Sequence, residues 1–287
     1  MKHNIYQIYY SEQSRNELDP GFIALDNTGQ RPDWREYWPM RRFLLEETLE
    51  EDVLYGFFSP KFKLKTGLDS AEVHAFLNDA PDDVDVVTFS PFYDQAAYFA
   101  NIFEHAAWMH PGIGPLIDEV LELIAPGQNT GTDFVMSSFE TIFCNYLVAK
   151  PAFWRRWLKD CEQIFQIAEA GANKLAEQLN MPVKHDGDGA PAKVFIIERI
   201  ASLIIATQRP WRVHCFDSMT LPPQNKWLAE HYAADLIALD ALKFTANATG
   251  NPQFAWRFFE LRLRLYEKIH QPNDQAAESG QGQDQDT

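Results

Sequence analysis

The spacing of apolar positions switches repeatedly between the two-residue period of a strand and the 3.6-residue period of a helix. Ile5-Tyr6-Gln7-Ile8-Tyr9-Tyr10 is β-branched and aromatic around one glutamine, which predicts a strand. Residues 11–30 are polar, with Pro20, Gly21 and Gly29, and predict a long loop crossed by the short apolar piece Phe22-Ile23-Ala24-Leu25. Asp33, with Glu36 three positions on, has the pattern of a capping box and predicts a helix through Leu45, kinked or cut short by Pro39. Leu54-Tyr55-Gly56-Phe57-Phe58 predicts a second strand, followed by a basic loop through Lys65. Asp69 or Ser70 caps a helix over 71–78, and the near-continuous apolar run 84–89 predicts a buried strand.

Helical periodicity follows at 93–108 and 113–124, then a Gly/Asn/Thr loop to Asp133. Residues 139–148 read as a strand with Asn145 inside it. Lys150-Pro151 opens a long helix whose stripe of Phe153, Trp154, Trp157, Cys161, Ile164, Phe165 and Ala168 predicts one buried face. Residues 182–191 form a polar loop, and 194–207 an apolar helix interrupted by Glu198-Arg199. A last strand over 211–216 ends at Asp217, and two amphipathic helices follow at about 226–247 and 252–269. The tail from Gln271 offers no core-forming residue and reads as disordered. Strands alternating with helices predict an α/β fold with a largely parallel sheet. The expected division is an α/β domain over 1–220, a helical extension over 221–270 and the tail over 271–287.

Composition narrows the functions open to such a fold. The chain has 287 residues and a formal net charge of −16, which disfavours nucleic acid as a partner. No apolar run reaches membrane-spanning length and the N-terminus runs directly into a strand, so at most peripheral membrane association and a cytoplasmic location are expected. Three cysteines, Cys144, Cys161 and Cys215, without metal-type spacing fit a reducing compartment.

Several chemistries lack their signatures. Neither a GxGxxG nor a GxxxxGK[ST] phosphate loop occurs, nor a GxSxG elbow. His105 and His110 miss the four-residue spacing that puts two ligands on one helix face. Asp83-Val84-Asp85 has the DxD form of metal-dependent sugar-nucleotide enzymes, but it precedes its strand, whereas α/β sheets bind ligands at strand carboxyl ends. Glu198-Arg199 inside an apolar helix is either an ion pair anchoring that helix or a carboxylate aimed at a site. Asp217 at a strand end is a second acid candidate, or the cap of the next turn. Asn145 among apolar residues must tie backbone segments together or face a ligand. Gln7 and Tyr9 share one strand face, and Arg31, Asp33, Glu36 and Tyr37 form the densest polar set near a turn. Arg41, Arg42, Lys61, Lys63 and Lys65 form the main early basic cluster, either a phosphate site or a solvated face.

The ordered pieces resemble bacterial GT-A-type glycosyltransferases of capsule and lipopolysaccharide biosynthesis, in particular an uncharacterised capsular-transferase-like group. The resemblance rests on the opening strand, Asp26-Asn27, Glu36-Tyr37-Trp38, the stretch from Tyr55 to Phe62, Asn145-Tyr146-Leu147-Val148-Ala149-Lys150-Pro151, and Glu198-Arg199-Ile200-Ala201-Ser202-Leu203. It covers about residues 5–217. It implies a GT-A-like, Rossmann-like fold that transfers a sugar from a nucleotide-sugar donor to a glycan or lipid-linked acceptor in cell-surface polysaccharide synthesis. In that reading Gln7, Tyr9, Asp26 and Asn27 hold the nucleoside, Lys61 with Arg42 meets the diphosphate, Ser59 belongs to the phosphate or acceptor lip, and Arg31 is a further substrate-binding residue. Asn145 holds the sugar or acceptor, and Glu198 or Asp217 is the base. The resemblance fixes no cofactor: Mn2+ and Mg2+ are the candidate metals, and metal dependence stays open because no well-placed DxD is visible. The rival from another class is a non-catalytic interaction protein on a degenerate transferase fold. A hydrolase reading has no paired-carboxylate signature behind it.

Overall fold

The computed structural model describes residues 1–127, 134–183, 189–208 and 211–270. The expected disordered tail from Gln271, and most of the expected loops around 128–133 and 184–188, lie outside the described residues.

The centre is a six-stranded sheet in the order β2-β1-β3-β5-β4-β8. Its strands are β1 (His3–Tyr9), β2 (Ile23–Asp26), β3 (Leu54–Phe58), β4 (Val86–Thr88), β5 (Leu147–Ala149) and β8 (Val213–Cys215). All pairings are parallel except those of β5, which runs antiparallel to both β3 and β4. Two short strands, β6 (Pro182–Val183) and β7 (Ala190–Pro191), form a separate antiparallel pair. The architecture is therefore α/β, with a mostly parallel, Rossmann-like sheet flanked by helices.

Every residue of β3, β4 and β5 is buried, which explains their near-continuous apolar sequences. Alternate side chains point to opposite faces. Tyr55, Phe57, Val86, Leu147 and Ala149 pack with Trp34, Tyr37, Phe153, Trp154 and Trp157 in one core. Leu54, Phe58, Val87 and Val148 pack on the other face with Phe62, Val73, Leu77, Phe89 and Tyr146. The predicted stripe of the long helix, Pro151–Ala170, is the buried side, with Phe165 at its edge. A third core joins the C-terminal helices Ala233–Thr249 and Pro252–His270 through Leu239, Phe258 and Leu265. Buried Asp94 ties this part to the sheet region by accepting hydrogen bonds from the backbone N–H groups of Gln224 and Asn225, at 2.9 and 2.8 Å.

Several expected elements differ, each for a local reason. The helix expected from Asp33 begins at Tyr37 instead. Arg35 has a φ of 47° and interrupts it, and Asp33 accepts hydrogen bonds from Arg31 and Lys193 rather than closing a capping box. Pro39 then falls in the first helical turn, where a missing N–H costs nothing, so no kink arises. The strand expected over 139–148 shrinks to β5, because Cys144 and Asn145 are left-handed, with φ of 61° and 53°. Asn145 is therefore not mid-strand. The expected 93–108 helix is two, Tyr93–Tyr98 and Ile102–Met109, the second capped by the Asn101 side chain. The 194–207 helix breaks at Glu198-Arg199 into Ala192–Ile197 and Ile200–Thr207. The expected helix over 226–247 is Lys226–His231 and Ala233–Thr249, divided at Tyr232. Within the expected loops lie the helices Glu12–Asn16 and Phe62–Thr66, and the apolar piece around Ile23 is the edge strand β2.

Candidate functional site

The reversed strand builds the site. Parallel strands collect their carboxyl ends at one edge of a sheet, and β5, running the other way, delivers the residues that precede it to that same edge. With Gly56 opposite Val148, the segment after β3 meets the segment before β5. Ser59 Oγ and the Tyr146 hydroxyl are hydrogen-bonded there at 2.7 Å. Phe62–Thr66 then folds back as a helix, which turns Lys65 toward Cys144, with Nζ 3.0 Å from Sγ. Glu198, at the break between two helices, and Glu36, at the start of helix Tyr37–Glu46, close the other side. The resulting cleft has a narrow interior of about 30 Å³, room for a water molecule or one hydroxyl group.

This cleft concentrates charge in a poorly solvated place. Glu198 lines the cleft, with a side chain 36% accessible. Burial pushes its carboxyl above the usual range, Glu36 adds to this, and Arg199 and Lys65 oppose it. For Lys65 burial works against the ammonium, but Cys144, Glu198 and Glu36 outweigh it and raise its pKa. Burial lifts the Cys144 thiol to about 11 despite the lysine, so it is a protonated hydrogen-bonding group rather than a thiolate nucleophile. Burial, with Glu36 nearby, also raises the Tyr10 hydroxyl. Asn145 is 5% exposed, and its Oδ1 has no hydrogen-bond partner. A buried carbonyl oxygen left without a donor in a cleft wall is an acceptor available to a ligand.

Glu198 and Arg199 are placed differently. The buried Arg199 guanidinium donates to the backbone carbonyls of Ile102 (3.3 Å) and Phe195 and lies 3.9 Å from the Glu198 carboxylate. It anchors the helix break while Glu198 faces the cleft.

Of the other candidates, Ser59 and Asn145 line the cleft with Glu198. Tyr9, Asp26, Asn27 and Arg42 gather at the carboxyl ends of β1 and β2. Tyr9 is in register with Asp26, the Asn27 N–H donates to Tyr9 O at 2.9 Å, and Arg42 donates to Asp26 O at 3.1 Å. Asn27 is also buried with an unpartnered Oδ1. Gln7 is a buried brace, donating to Ser59 O at 3.5 Å and accepting from Asp19 N–H at 2.8 Å. Arg31 is held by Asp33 and Glu169, and Arg41 by Glu162, so these guanidiniums lock helix Pro151–Ala170 in place. Lys61 is exposed at the start of helix Phe62–Thr66 and does not line the cleft. Asp217 is exposed and caps the 3-10 turn Ser218–Thr220, accepting from Met219 N–H at 3.0 Å, so it too lies outside the cleft lining.

Asp83 and Asp85 do not fit a metal site. Asp83 pairs with Arg212, and Asp85 with Lys150 at 3.4 Å and with the Arg212 N–H at 3.1 Å, at the amino end of β4. Among the described residues no three His, Cys, Asp or Glu side chains converge as a ligand set, and no helix is long and apolar enough to cross a membrane.

Lys65 and Glu36 carried signals in the sequence, as members of a basic cluster and a capping box, but neither signal pointed to the cleft. Nothing in the sequence singled out Cys144 or Tyr146 for the cleft, because their place depends on the left-handed turn before β5. Comparison with protein families, with curated proteins and with solved structures gives no match.

Proposed function

We propose that the protein is a glycosyltransferase that moves a sugar from a nucleotide-sugar donor to a hydroxyl of a glycan or lipid-linked acceptor. The observation that carries this reading is the convergence of Glu198, Lys65 and Asn145 in a cleft at the carboxyl edge of the sheet, beside the Tyr9, Asp26, Asn27 and Arg42 cluster. A sheet with one reversed strand feeding that edge agrees with a GT-A-like architecture.

Each residue has a chemical task in this reading. The acceptor oxygen forms a bond to the anomeric carbon, the bond from that carbon to the diphosphate breaks, and the acceptor proton passes to the Glu198 carboxylate. Its raised pKa brings that base closer to neutral pH, where general-base catalysis is most effective. Lys65 offsets the charge that develops on the departing diphosphate. Asn145 Oδ1 accepts a hydrogen bond from a sugar hydroxyl. The small interior takes the reacting hydroxyl alone, so the nucleoside lies outward over the ends of β1 and β2. Lys65 replaces Lys61 as the phosphate partner, because it is the lysine that faces the cleft.

The test is thermal shift and calorimetry with UDP-, GDP-, CMP- and dTDP-sugars, each with and without manganese. One donor class should stabilise the wild type, Lys65→Met should weaken its binding at least tenfold, and Glu198→Gln should bind it without turnover. Absence of a shift with every donor would sink the reading, as would full turnover by Glu198→Gln.

A further inference from the structure

Two half-buried histidines, His3 on β1 and His74 on helix Ser70–Asp79, meet ring to ring. His3 Nε2 lies 2.8 Å from His74 Nδ1. The ring centroids are 4.9 Å apart and the planes 22° apart, so the rings meet edge to edge and close to coplanar. That geometry directs an N–H of one ring along the lone pair of the other. The outer nitrogens are engaged as well, His3 Nδ1 with Met1 O at 2.9 Å and His74 Nε2 with Gly21 O at 3.0 Å.

These contacts fix the charge of the pair. A carbonyl oxygen only accepts, so both outer nitrogens carry hydrogen. The inner contact then needs one more hydrogen and has room for only one. Two rings with three N–H bonds are one neutral imidazole and one imidazolium. With both rings neutral, one of the contacts sets lone pair against lone pair. With both rings protonated, two N–H groups collide between the rings. All three contacts therefore coexist in one protonation state, with a single proton shared by the pair. Burial first, then the charge on His74, lowers the pKa of His3 from 6.5, so His3 is the neutral member and accepts from His74 Nδ1.

The pair stands where the chain enters edge strand β2. Gly21 is pressed against the same helix, since a Cβ there would lie 2.2 Å from Ser70 Oγ. Asp19 accepts hydrogen bonds from Ser70 Oγ and N–H at 2.5 and 2.9 Å, and its own N–H donates to Gln7, which reaches Ser59 of the cleft. Of the charged groups on the surrounding elements, the Met1 ammonium opposes a second proton on the pair. Asp19 is turned to Ser70 and the Gly21 N–H, and Glu72 to the Asp69 N–H. Strand β3 sets only Leu54 opposite His3.

We infer that the His3–His74 pair is a pH-operated latch: with one shared proton it fastens the loop at Gly21, and so the entry to β2, onto β1 and helix Ser70–Asp79, and with none or two it releases that loop. The first proton binds the folded pair more tightly than a free histidine, so its stabilisation is present at low pH and lost as pH rises above 6.5 through the folded value. The second binds less tightly, so stabilisation is lost as pH falls below 6.5. The latch is closed in a window around 6.5 and opens on both sides. The inference is independent of the glycosyltransferase reading.

Ring nitrogen–hydrogen correlation spectra of the full chain, labelled with nitrogen-15 at histidine and recorded from about pH 4.5 to about pH 9, test it. His3→Gln and His74→Gln assign the signals. The pair titrates in two steps at least about one unit apart, one on each side of 6.5. Between the steps His3 carries hydrogen on Nδ1 alone, and His74 on both nitrogens. Hydrogen exchange reads the loop through the Phe22 N–H, which donates to Asp19 O at 3.1 Å. Its protection factor peaks in the same window and falls at least about threefold at either end. Against its burial, the Ser70 and Gly21 hydrogen bonds hold the Asp19 carboxyl below the usual range, so it stays ionised across this window. In each single variant the remaining histidine titrates in one step and the Phe22 maximum disappears. Two wild-type histidines that titrate together at 6.5 overturn the proposal, as does a pair that is neutral inside the window. Phe22 protection with no maximum in the wild type, or with an unchanged one in both variants, also overturns it.

Discussion

Lys65 Nζ lies 3.0 Å from Cys144 Sγ, two residues separated by 79 positions and joined only because β5 runs backwards beside β3. The lysine also stands against two carboxylates, Glu36 and Glu198, and with Arg199 offsets the charge on Glu198.

Replacing that lysine should therefore expose a carboxylate cost. Lys65→Met is expected to lose about 2 kcal/mol of stability at pH 7, in the range for breaking a buried charged network. The sign follows from Glu198, whose folded pKa is raised. Such a group destabilises above its unfolded pKa and is relieved as pH falls and it protonates. Removal of the lysine raises the Glu198 pKa further, so the gap between variant and wild type should narrow from pH 7 to pH 5. Urea denaturation at the two values checks this, and an unchanged gap would count against the pairing.

His105 gives the protein an acid sensitivity. It is 6% exposed, neither ring nitrogen makes a hydrogen bond, and it packs between the rings of Phe99 and Phe143 at 5.1 and 5.0 Å. Burial, with Arg199 and His110 nearby, lowers its pKa from 6.5 to about 3. The folded protein therefore holds it neutral, while the unfolded chain takes up a proton below about pH 6.5. Stability from this group is complete above that value and falls by about 1.4 kcal/mol per pH unit as pH drops toward 3. His105→Phe should remove that component of the slope, as read from chemical denaturation between pH 7 and pH 4.5. Parallel slopes for variant and wild type would refute it.

Gly56 is where β3 and β5 approach too closely for a side chain. A Cβ there would sit 2.9 Å from Val148 Cγ2 and 3.4 Å from Leu147 O. Val148 is fully buried and β-branched, so it has no rotamer to retreat to. Gly56→Ala is expected to cost about 1–3 kcal/mol through overpacking. Val148→Ala should recover part of that loss, making the double variant better than the sum of the singles by about 1 kcal/mol. A denaturation cycle measures it, and simple additivity would show that the contact is not the cause.

The GT-A-type resemblance and the geometry meet at different residues. Glu198, Ser59 and Asn145, quoted from sequence motifs, do line the cleft, each at or next to the end of a helix or strand. Lys61 and Asp217 had equally plausible motifs but face outward. A lysine's position within a basic run does not say which one a single helical turn will point inward. Helix Phe62–Thr66 turns Lys65 in and leaves Lys61 out.

The sequence by itself determined the α/β class, the apolar central strands and the one-sided long helix, because side-chain periodicity is imposed by local backbone geometry and needs no distant partner. Only the tertiary structure decided that β5 is reversed and that Cys144 and Asn145 are left-handed before it. It alone brought Glu36, Lys65 and Glu198 to one cleft. Those outcomes depend on packing between segments far apart in the chain, and neither periodicity nor propensity records which distant neighbour a residue will meet.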